Sequence, residues 1–162
     1  TTTTSSKPLA SMNMPPRQLY LPPEYWERYE QGDYIGARHL LELEASKNQD
    51  PRLCFLLGQE FGICSRSGFE NYEKAFSWFS VAAEYGDPAS IHEIGIALLK
   101  GLGVERDTES GIQNIKRAAA LNDEVALAFL LNPEFRIRYG FHLTEAEEQG
   151  MAAHLQKIQN ES

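Results

Sequence analysis

Two short stretches of the sequence combine residue types that bind phosphate or metal in other proteins. Residues 100–107, KGLGVERD, place Gly-x-Gly ahead of a helical pattern, as nucleotide-binding loops do. However, Arg106 stands where the dinucleotide-binding pattern needs its third glycine, no strand pattern precedes the stretch, and no Gly-Lys-Ser or Gly-Lys-Thr accompanies it. His92 and Glu93 begin like the zinc-protease pattern His-Glu-x-x-His, but Ile96 stands at the second histidine position. Neither stretch therefore predicts a nucleotide site or a metal site.

The other reactive side chains show no arrangement typical of catalysis. The sequence lacks Gly-x-Ser-x-Gly and Ser-x-x-Lys, the usual local patterns around a serine nucleophile. His39, His142 and His154 share no ligand spacing with cysteines or carboxylates, so we expect them on the surface. We expect His92 and Glu93 to form an exposed polar pair. The sequence predicts a non-enzymatic protein without catalytic residues, cofactor or metal.

Composition limits the class of partner. The chain has 162 residues, of which 42% are hydrophobic, enough for one packed domain. Its formal net charge of −8 disfavours binding to nucleic acid or to an anionic membrane surface. No apolar run is long enough to span a bilayer, so no membrane insertion is expected.

Residues 1–23 differ in composition from the rest. This segment, TTTTSSKPLASMNMPPRQLYLPP, is rich in Ser, Thr and Pro and cannot build a packed core. We interpret it as a flexible tether of the kind that joins an exported domain to an anchor, although such tails occur in every compartment. Because position 1 is threonine, the sequence also fits a processed or trimmed chain. The prediction is a periplasmic or secreted protein, with a cytoplasmic location as the alternative.

The remainder of the chain repeats itself with a period of 36 to 37 residues. The segment DPRLCFLLG at 50–58 aligns with DPASIHEIG at 87–95, and a third copy begins at Asp123. The segment at 73–87 aligns in the same way with that at 109–123. An aspartate followed by proline is a strong start signal for a helix. Each repeat is therefore predicted to be a pair of helices, with Asn71 and Asp107 as N-caps of the second helices.

Glycine has two different roles in this pattern. Gly58 and Gly95 occupy the same position in the first helix of two repeats, where each costs about 1 kcal/mol relative to alanine. We therefore predict a close helix–helix crossing at both positions. Gly101 and Gly103 lie between the two helices of one repeat, where they let the chain turn while Val104 packs between the helices.

These residues resemble the Sel1-like repeat, a relative of the tetratricopeptide repeat. Residues 89–126 match the family pattern at Gly95, Gly101, Gly103, Val104, Asp107, Ala118 and Ala119. Residues 52–89 match it at Leu57, Gly58, Gly68, Lys74, Ala75, Trp78, Ala82, Ala83 and Gly86. The sequence departs from the pattern at Ser110, Gly111 and Asn122, and in the loop ICSRSGF at 63–69. The resemblance covers residues 24–131 and implies an all-α fold, a right-handed α-solenoid of helix-turn-helix repeats.

The predicted organisation is the tether over 1–23 followed by a repeat domain over 24–158. The domain divides into a partial unit, two full units, and a last partial unit with a C-terminal capping helix, at 24–50, 51–86, 87–122 and 123–158. The capping helix follows from the capping box Thr144-x-x-Glu147.

The first partial unit is acidic and aromatic. Seven acids against three bases lie between Glu24 and Asp50. We interpret them as a solvated outer face, with a basic partner as the alternative. Tyr25, Trp26 and Tyr34 are aromatic enough to form a ligand platform, but we expect them to close the core of a unit that has one neighbour.

The two cysteines do not form a disulfide scaffold. Cys54 aligns with the apolar residues Ile91 and Leu127, so we expect a buried thiol. Cys64 lies in the altered loop, where a straight helix would hold the two sulfurs about 15 Å apart. A loop that folds back would bring them together, so the sequence leaves open whether the two cysteines form a disulfide. Cysteine-rich family members bridge the helices of a unit, but the second partner position is missing here.

Function is expected on first-helix residues that do not keep the core pattern, since first helices line the concave groove of such an array. These positions change chemistry from repeat to repeat, as a surface does when it recognises one partner. The predicted partner-binding residues are Arg52, Phe55, Leu56, Gln59, His92, Glu93, Ile96 and Phe129.

The resulting hypothesis is a non-enzymatic module that holds a protein or peptide in the groove. The family resemblance implies the same, because its members mostly serve as adaptors and scaffolds. A bacterial periplasmic adaptor, an assembly factor and an immunity protein that neutralises a toxic effector all fit. The alternatives are an enzyme that binds or hydrolyses β-lactams, as some cysteine-rich relatives are described to do, and a structural fragment of a longer chain.

Overall fold

The computed structural model describes residues 21–62 and 68–162, and over these residues it consists of α-helices joined by short turns. The chain divides into two compact units, of which the first ends at Asp87 and the second begins at Pro88. Residues 1–20 of the predicted tether and the loop around Cys64, with any disulfide it would form, lie outside the described residues. Within the tether as predicted, Leu21 is already buried and Pro23 opens the first helix, so packing begins before Glu24.

The described part of the first unit contains four helices: α1 (Pro23–Glu30), α2 (Tyr34–Asn48), α3 (Pro51–Phe61) and α4 (Tyr72–Glu84). Side chains that precede three of these helices accept hydrogen bonds from backbone N–H groups of the first turn. Asp33 accepts from Gly36 at 2.9 Å, Asp50 from Arg52 at 2.9 Å, and Asn71 from Lys74 at 3.1 Å. Such caps satisfy N–H groups that have no partner inside the helix. The start signals read from the sequence at Asp50 and Asn71 are confirmed.

Helices α3 and α4 cross closely at Gly58. A Cβ atom built on Gly58 would overlap the ring of Phe79, which is itself buried. Leu57 and Phe61 are buried on α3, and Ala75 is buried on α4. The close crossing predicted from the conserved spacing of glycine between the repeats is confirmed in this unit.

Helix α2 also holds the C-terminal end of α3. The Arg38 guanidinium lies 4.2 Å from the centroid of the Phe61 ring and donates to the Phe69 carbonyl at 2.7 Å. Lys74 approaches the same ring at 5.1 Å and pairs with Glu42 on α2 at 3.1 Å. Arg38 therefore links the end of α3 to the segment that leads into α4. No sequence pattern predicted this role of Arg38.

The second unit contains five helices: α5 (Pro88–Lys100), α6 (Thr108–Ala120), α7 (Glu124–Leu131), α8 (Pro133–Tyr139) and α9 (Glu145–Glu161). Asp107 and Asp123 cap α6 and α7 through the N–H groups of Ser110 and Ala126. The break between α7 and α8 was not predicted. It repeats the signal already seen at Asp50, because Asn132 caps α8 and Pro133 occupies its first position.

The turn between α5 and α6 explains the Gly-x-Gly stretch. Gly101 and Gly103 both have φ of +71°, a left-handed conformation that favours glycine. The N–H of Leu102 bonds to the carbonyl of Ala97 at 3.0 Å, and that of Asp107 to the carbonyl of Leu98 at 2.9 Å. The glycines therefore end one helix and return the chain to start the next, as predicted.

Helices α5 and α6 meet at a pair of glycines. A Cβ atom built on Gly95 would lie 3.0 Å from the carbonyl oxygen of Gly111, and one built on Gly111 would lie 3.0 Å from that of Gly95. Ile115 and Leu99, both buried, close the two sides of this contact. The crossing predicted at Gly95 is confirmed.

The last helix, α9, lies on α7 and begins with the predicted capping box of Thr144 and Glu147. None of its described residues is fully buried. Its polar attachments are a hydrogen bond of 2.6 Å between His154 and Asn122 and an ion pair of 3.6 Å between Glu148 and Arg136. Helix α9 thus covers one side of α7 while its own outer face stays in water.

Candidate functional site

In the first unit, helix α3 leaves one stripe of side chains facing solvent. It buries Leu53, Cys54 and Leu57 on the opposite side. Residues spaced by three and four positions lie on one side of a helix, which is why the polar and apolar positions separate in this way. The stripe contains the four positions predicted from the sequence, one exposed and three half-buried: Arg52, Phe55, Leu56 and Gln59.

Two of these four side chains already have partners inside the unit. Arg52 forms two bonds with Asp50, at 2.7 Å and 3.1 Å. Burial opposes ionisation of Asp50, but hydrogen bonds from Arg52 outweigh it and lower the pKa of that carboxyl. The Phe55 ring lies 5.7 Å from that of Phe79, so it takes part in the packing of α3 on α4.

In the second unit, helix α5 leaves a narrower stripe. Glu93 and Ile96 are half-buried, whereas Ser90, Ile91 and Ile94 face the core. His92 is 9% exposed and lies among the buried residues. The prediction that His92 and Glu93 form an exposed polar pair is therefore wrong for His92.

His92 is buried because two carboxylates hold its ring. Nδ1 lies 3.2 Å from Oδ2 of Asp123, and Nε2 lies 3.2 Å from Oε1 of Glu93. Burial by itself would lower the pKa of His92, but hydrogen bonds to Asp123 and Glu93, together with their charges, outweigh it and raise the pKa to about 9. The imidazole is therefore a cation at neutral pH, paired on both nitrogens.

Asp123 connects this cluster to α7. One of its oxygens, Oδ1, accepts the N–H of Ala126 at 2.7 Å and caps the helix, while Oδ2 faces His92. Sequence analysis identified Asp123 as the start of a repeat and did not assign it as the partner of His92. Both residues belong to the first helices of successive repeats, but which of their side chains meet depends on how these helices pack.

Phe129 borders the same cluster. Its ring stands edge-on to that of His92, with centroids 6.4 Å apart, and stacks on Phe135 at 5.2 Å with an angle of 9°. Phe135 in turn contacts Tyr139 and Phe141 at 4.8 Å and 5.8 Å. Phe129 is therefore a half-buried, rigidly held ring at the edge of an aromatic group from α7, α8 and the following turn.

Arg136 is a further residue that sequence reasoning missed. Its guanidinium donates to the carbonyls of Leu130 and Leu131 at 3.1 Å and 3.2 Å, which satisfies the C-terminal end of α7. The same side chain faces Glu148 of α9. Arg136 thus fixes the angle at which α8 leaves α7 and, with it, the position of Phe135.

The described residues offer little for catalysis. Cys54 is fully buried, and this burial together with the nearby charge of Asp50 raises the pKa of its thiol to about 11, so it is protonated at neutral pH. The expectation of a buried thiol at this position is confirmed. Both nitrogens of His92 are engaged, and within residues 21–62 and 68–162 no group of three His, Cys, Asp or Glu side chains is placed to hold a metal ion.

The other histidines divide into two kinds. His39 and His142 are exposed, as expected. His154 is half-buried at the surface and hydrogen-bonded to Asn122. Across the part of the chain that the structure describes, no helix is long and apolar enough to cross a bilayer.

Comparison with known proteins identifies the repeats. The sequence profile of the Sel1 repeat matches residues 51–87 and 88–123. A segment of 78 residues is 35% identical to part of chitin synthase regulatory factor 3 of Schizosaccharomyces pombe, and this segment makes up 48% of the present chain and 8% of that protein. The chain therefore corresponds to a small part of the fungal protein.

A solved structure supports the same fold. The crystal structure of a Sel1 repeat protein from Oxalobacter formigenes superposes with a TM-score of 0.66 over 83% of this chain and 54% of its own. At 20% identity this similarity establishes the fold alone. The predicted fold class, an all-α solenoid of helix-turn-helix repeats, is confirmed. The profile thus places two consecutive Sel1 repeats at residues 51–123.

Proposed function

We propose that this chain is a non-enzymatic interaction module that binds a protein or peptide partner through the solvent-facing stripes of its first helices. Sel1 repeats in general are protein–protein interaction modules. The observation that carries the proposal is the surface of the second unit at Glu93, Ile96 and Phe129. It presents a carboxylate, an aliphatic side chain and an aromatic ring, all of them half-buried.

Rigidity of this surface favours binding. His92 and Asp123 connect α5 to α7 beneath it, and Phe135 holds the Phe129 ring from the side. A surface that is ordered before binding loses less side-chain entropy when the partner arrives. Aromatic residues in such positions contribute a large share of the energy of protein interfaces. We therefore assign His92 a supporting role beneath the contact surface and Phe129 a direct one.

The corresponding stripe of the first unit has a different chemistry. The side chains of Leu56 and Gln59 are half-buried and make no hydrogen bond or ring contact within the described residues, so they are available to a partner. Arg52 is exposed and Phe55 is half-buried, so each presents part of its side chain to solvent. With Glu93, Ile96 and Phe129 they make seven residues proposed to contact the partner, and His92 supports that surface from beneath.

The kind of partner stays a prediction from the sequence. We propose a periplasmic adaptor, an assembly factor or an immunity protein, each of which would act by binding a protein. The S. pombe relative is by its name a regulatory factor, which fits a module that acts by binding. The β-lactam alternative is disfavoured because Cys54 is buried and protonated and His92 is paired on both nitrogens.

The test is affinity capture from an extract of the native organism, with the partner identified by mass spectrometry. We expect one near-stoichiometric protein that is retained by the unaltered chain and lost with Ile96→Arg. A photo-crosslinking residue at position 96 should label that protein, whereas the same residue at Gln113, exposed on α6, should not. Retention by Ile96→Arg together with equal labelling from both positions would refute the proposed surface. The structural-fragment hypothesis instead predicts that no protein is captured.

A further inference from the structure

The His92 ring lies between two carboxylates that water reaches to different degrees. The Asp123 side chain is 10% exposed and the Glu93 side chain is 35% exposed. Asp123 is also held from a second direction, because its other oxygen accepts the N–H of Ala126 at 2.7 Å. Among the described residues, no group other than His92 holds the Glu93 carboxylate. Asp123 is therefore fixed on two sides and Glu93 on one.

The contact between His92 and Glu93 joins consecutive residues of α5. Side chains of consecutive helical residues point about 100° apart and do not normally face each other. Glu93 therefore reaches Nε2 only by lying across the surface of the helix, and the protonated ring is what holds it there. A partly exposed carboxylate gains little net free energy from such a pair, so water replaces the ring readily once the attraction is lost.

These two carboxylates are the charged groups that set the charge of the ring. Burial alone would lower the pKa of His92, and the two carboxylates outweigh burial. Helix α6 packs closely on α5, but within the described part of the chain no charged side chain of α6 acts on the ring. From α7, besides Asp123 at its start, the uncharged ring of Phe129 faces His92. The outcome of losing the proton therefore depends on how Glu93 and Asp123 respond.

We infer that His92 releases its proton to solvent from Nε2, and that this release frees the Glu93 carboxylate while Asp123 stays bound. A neutral imidazole keeps one N–H and presents a lone pair on its other nitrogen. If the remaining N–H faced Glu93, the lone pair of Nδ1 would face the buried carboxylate of Asp123, which is held in place by Ala126. The remaining proton therefore lies on Nδ1, and the Nε2 lone pair repels Glu93, which turns into water.

His92 is thus a positioning residue for Glu93. With the proton present, the carboxylate lies against α5 on the side of the helix that also carries Ile96, three positions away. Without the proton, Glu93 projects from that side and changes the shape and charge that the surface presents. The movement of Glu93 is a property of the chain alone, whereas its effect on a partner rests on the proposed function.

The test is a nuclear magnetic resonance titration of the full chain, labelled with nitrogen-15 and carbon-13, from neutral pH to pH 10.5. The two ring nitrogens of His92 have separate resonances and show which of them loses the proton. Three-bond couplings of Glu93 show whether its side chain occupies one rotamer or several. The same titration is made on Glu93→Gln and on Glu105→Gln, an exposed glutamate between α5 and α6, as a control with the same net charge. The amide spectrum of each variant shows that it is folded.

We expect Nε2 to lose the proton and the Glu93 couplings to change from one rotamer to an average over the same pH range. Glu93→Gln should lower the proton affinity of the ring about tenfold, and Glu105→Gln less than twofold. Loss of the proton from Nδ1, or a single Glu93 rotamer throughout the titration, would overturn the inference. Equal effects of the two variants would overturn it as well, because the net charge of the chain would then explain them. No partner is present in this experiment, so its result is independent of whether Ile96→Arg abolishes capture.

Discussion

Replacing Gly95 by alanine should destabilise the protein, although alanine is the better helix former. The new Cβ atom would lie 2.8 Å from Cδ1 of Ile115 and 3.0 Å from the carbonyl oxygen of Gly111. Ile115 is fully buried, so its side chain has no free volume into which to move. Helix α6 would have to shift away from α5 by a few tenths of an ångström. Overpacking of this kind costs about 1–3 kcal/mol, whereas the gain in helix propensity is about 1 kcal/mol. We expect a net loss of about 1 kcal/mol.

The chain provides a matched control in Gly150. This glycine also lies inside a helix, but a Cβ atom built on it meets no other atom within 4 Å. Gly150→Ala should therefore stabilise the protein by up to about 1 kcal/mol. The difference between the two variants cancels the propensity term and leaves the steric cost of the α5–α6 crossing.

The assay is urea denaturation of both variants followed by circular dichroism, supported by thermal melting. A change of 1 kcal/mol corresponds to about 2–4 °C in melting temperature for a chain of this size. Gly95→Leu should lower the stability further, because it adds three more carbon atoms at the same contact. If Gly95→Ala raised the stability as much as Gly150→Ala does, the close-contact argument would be refuted.

Three further predictions follow from named contacts. Because the pKa of His92 is about 9 in the folded protein and 6.5 ordinarily, its contribution to stability is complete below pH 6.5 and is lost as the pH rises through about 9. The free energy of unfolding, measured by denaturation, should be lower at pH 9.5 than at pH 6 by on the order of 2 kcal/mol, and this difference should be absent in His92→Gln. An equal decrease in both proteins would contradict the prediction. In a Cys64→Ser background, a chromogenic thiol reagent should modify Cys54 in urea but not in native buffer, and rapid native labelling would contradict its burial. Asn122→Gly should leave the global stability unchanged or slightly higher, since φ at this position is +69° and favours glycine. The same change removes the bond to His154, so hydrogen exchange in α9 should become about three- to tenfold faster. Unchanged exchange would show that this bond does not hold α9.

The helix pairs could be predicted from the sequence because their signals are local. An Asp or Asn cap, a following proline and a glycine at a crossing act within a few residues, so aligning one repeat on another reveals them. The positions on α3 that face solvent followed from the same alignment. Gly101 and Gly103 were interpreted correctly for this reason, since a loop between two helices needs left-handed residues wherever it occurs.

The candidate site could be predicted less fully, because its features depend on contacts between helices. Histidine is a polar residue that we expected at the surface, but His92 is buried as a cation because it pairs with the carboxylate of Asp123, 31 positions away. Trp26 shows the opposite error, because a large apolar residue was assigned to the core and the structure leaves it half in water. In both cases burial depends on the neighbours that helix packing brings to the side chain, and not on the side-chain type alone.

The two oxygens of the Asp123 carboxylate contact different helices, and this has a consequence for how the second unit unfolds. A helix start normally frays on its own, because its cap belongs to its own segment. Here the residue that nucleates α7 also neutralises a cation on α5, so loosening either helix weakens the other. In a one-dimensional chain of repeats, such a contact acts as a nearest-neighbour coupling term. It joins α5 and α7 into a single cooperative block, so that α7, an eight-residue helix that would be unstable in isolation, unfolds together with α5.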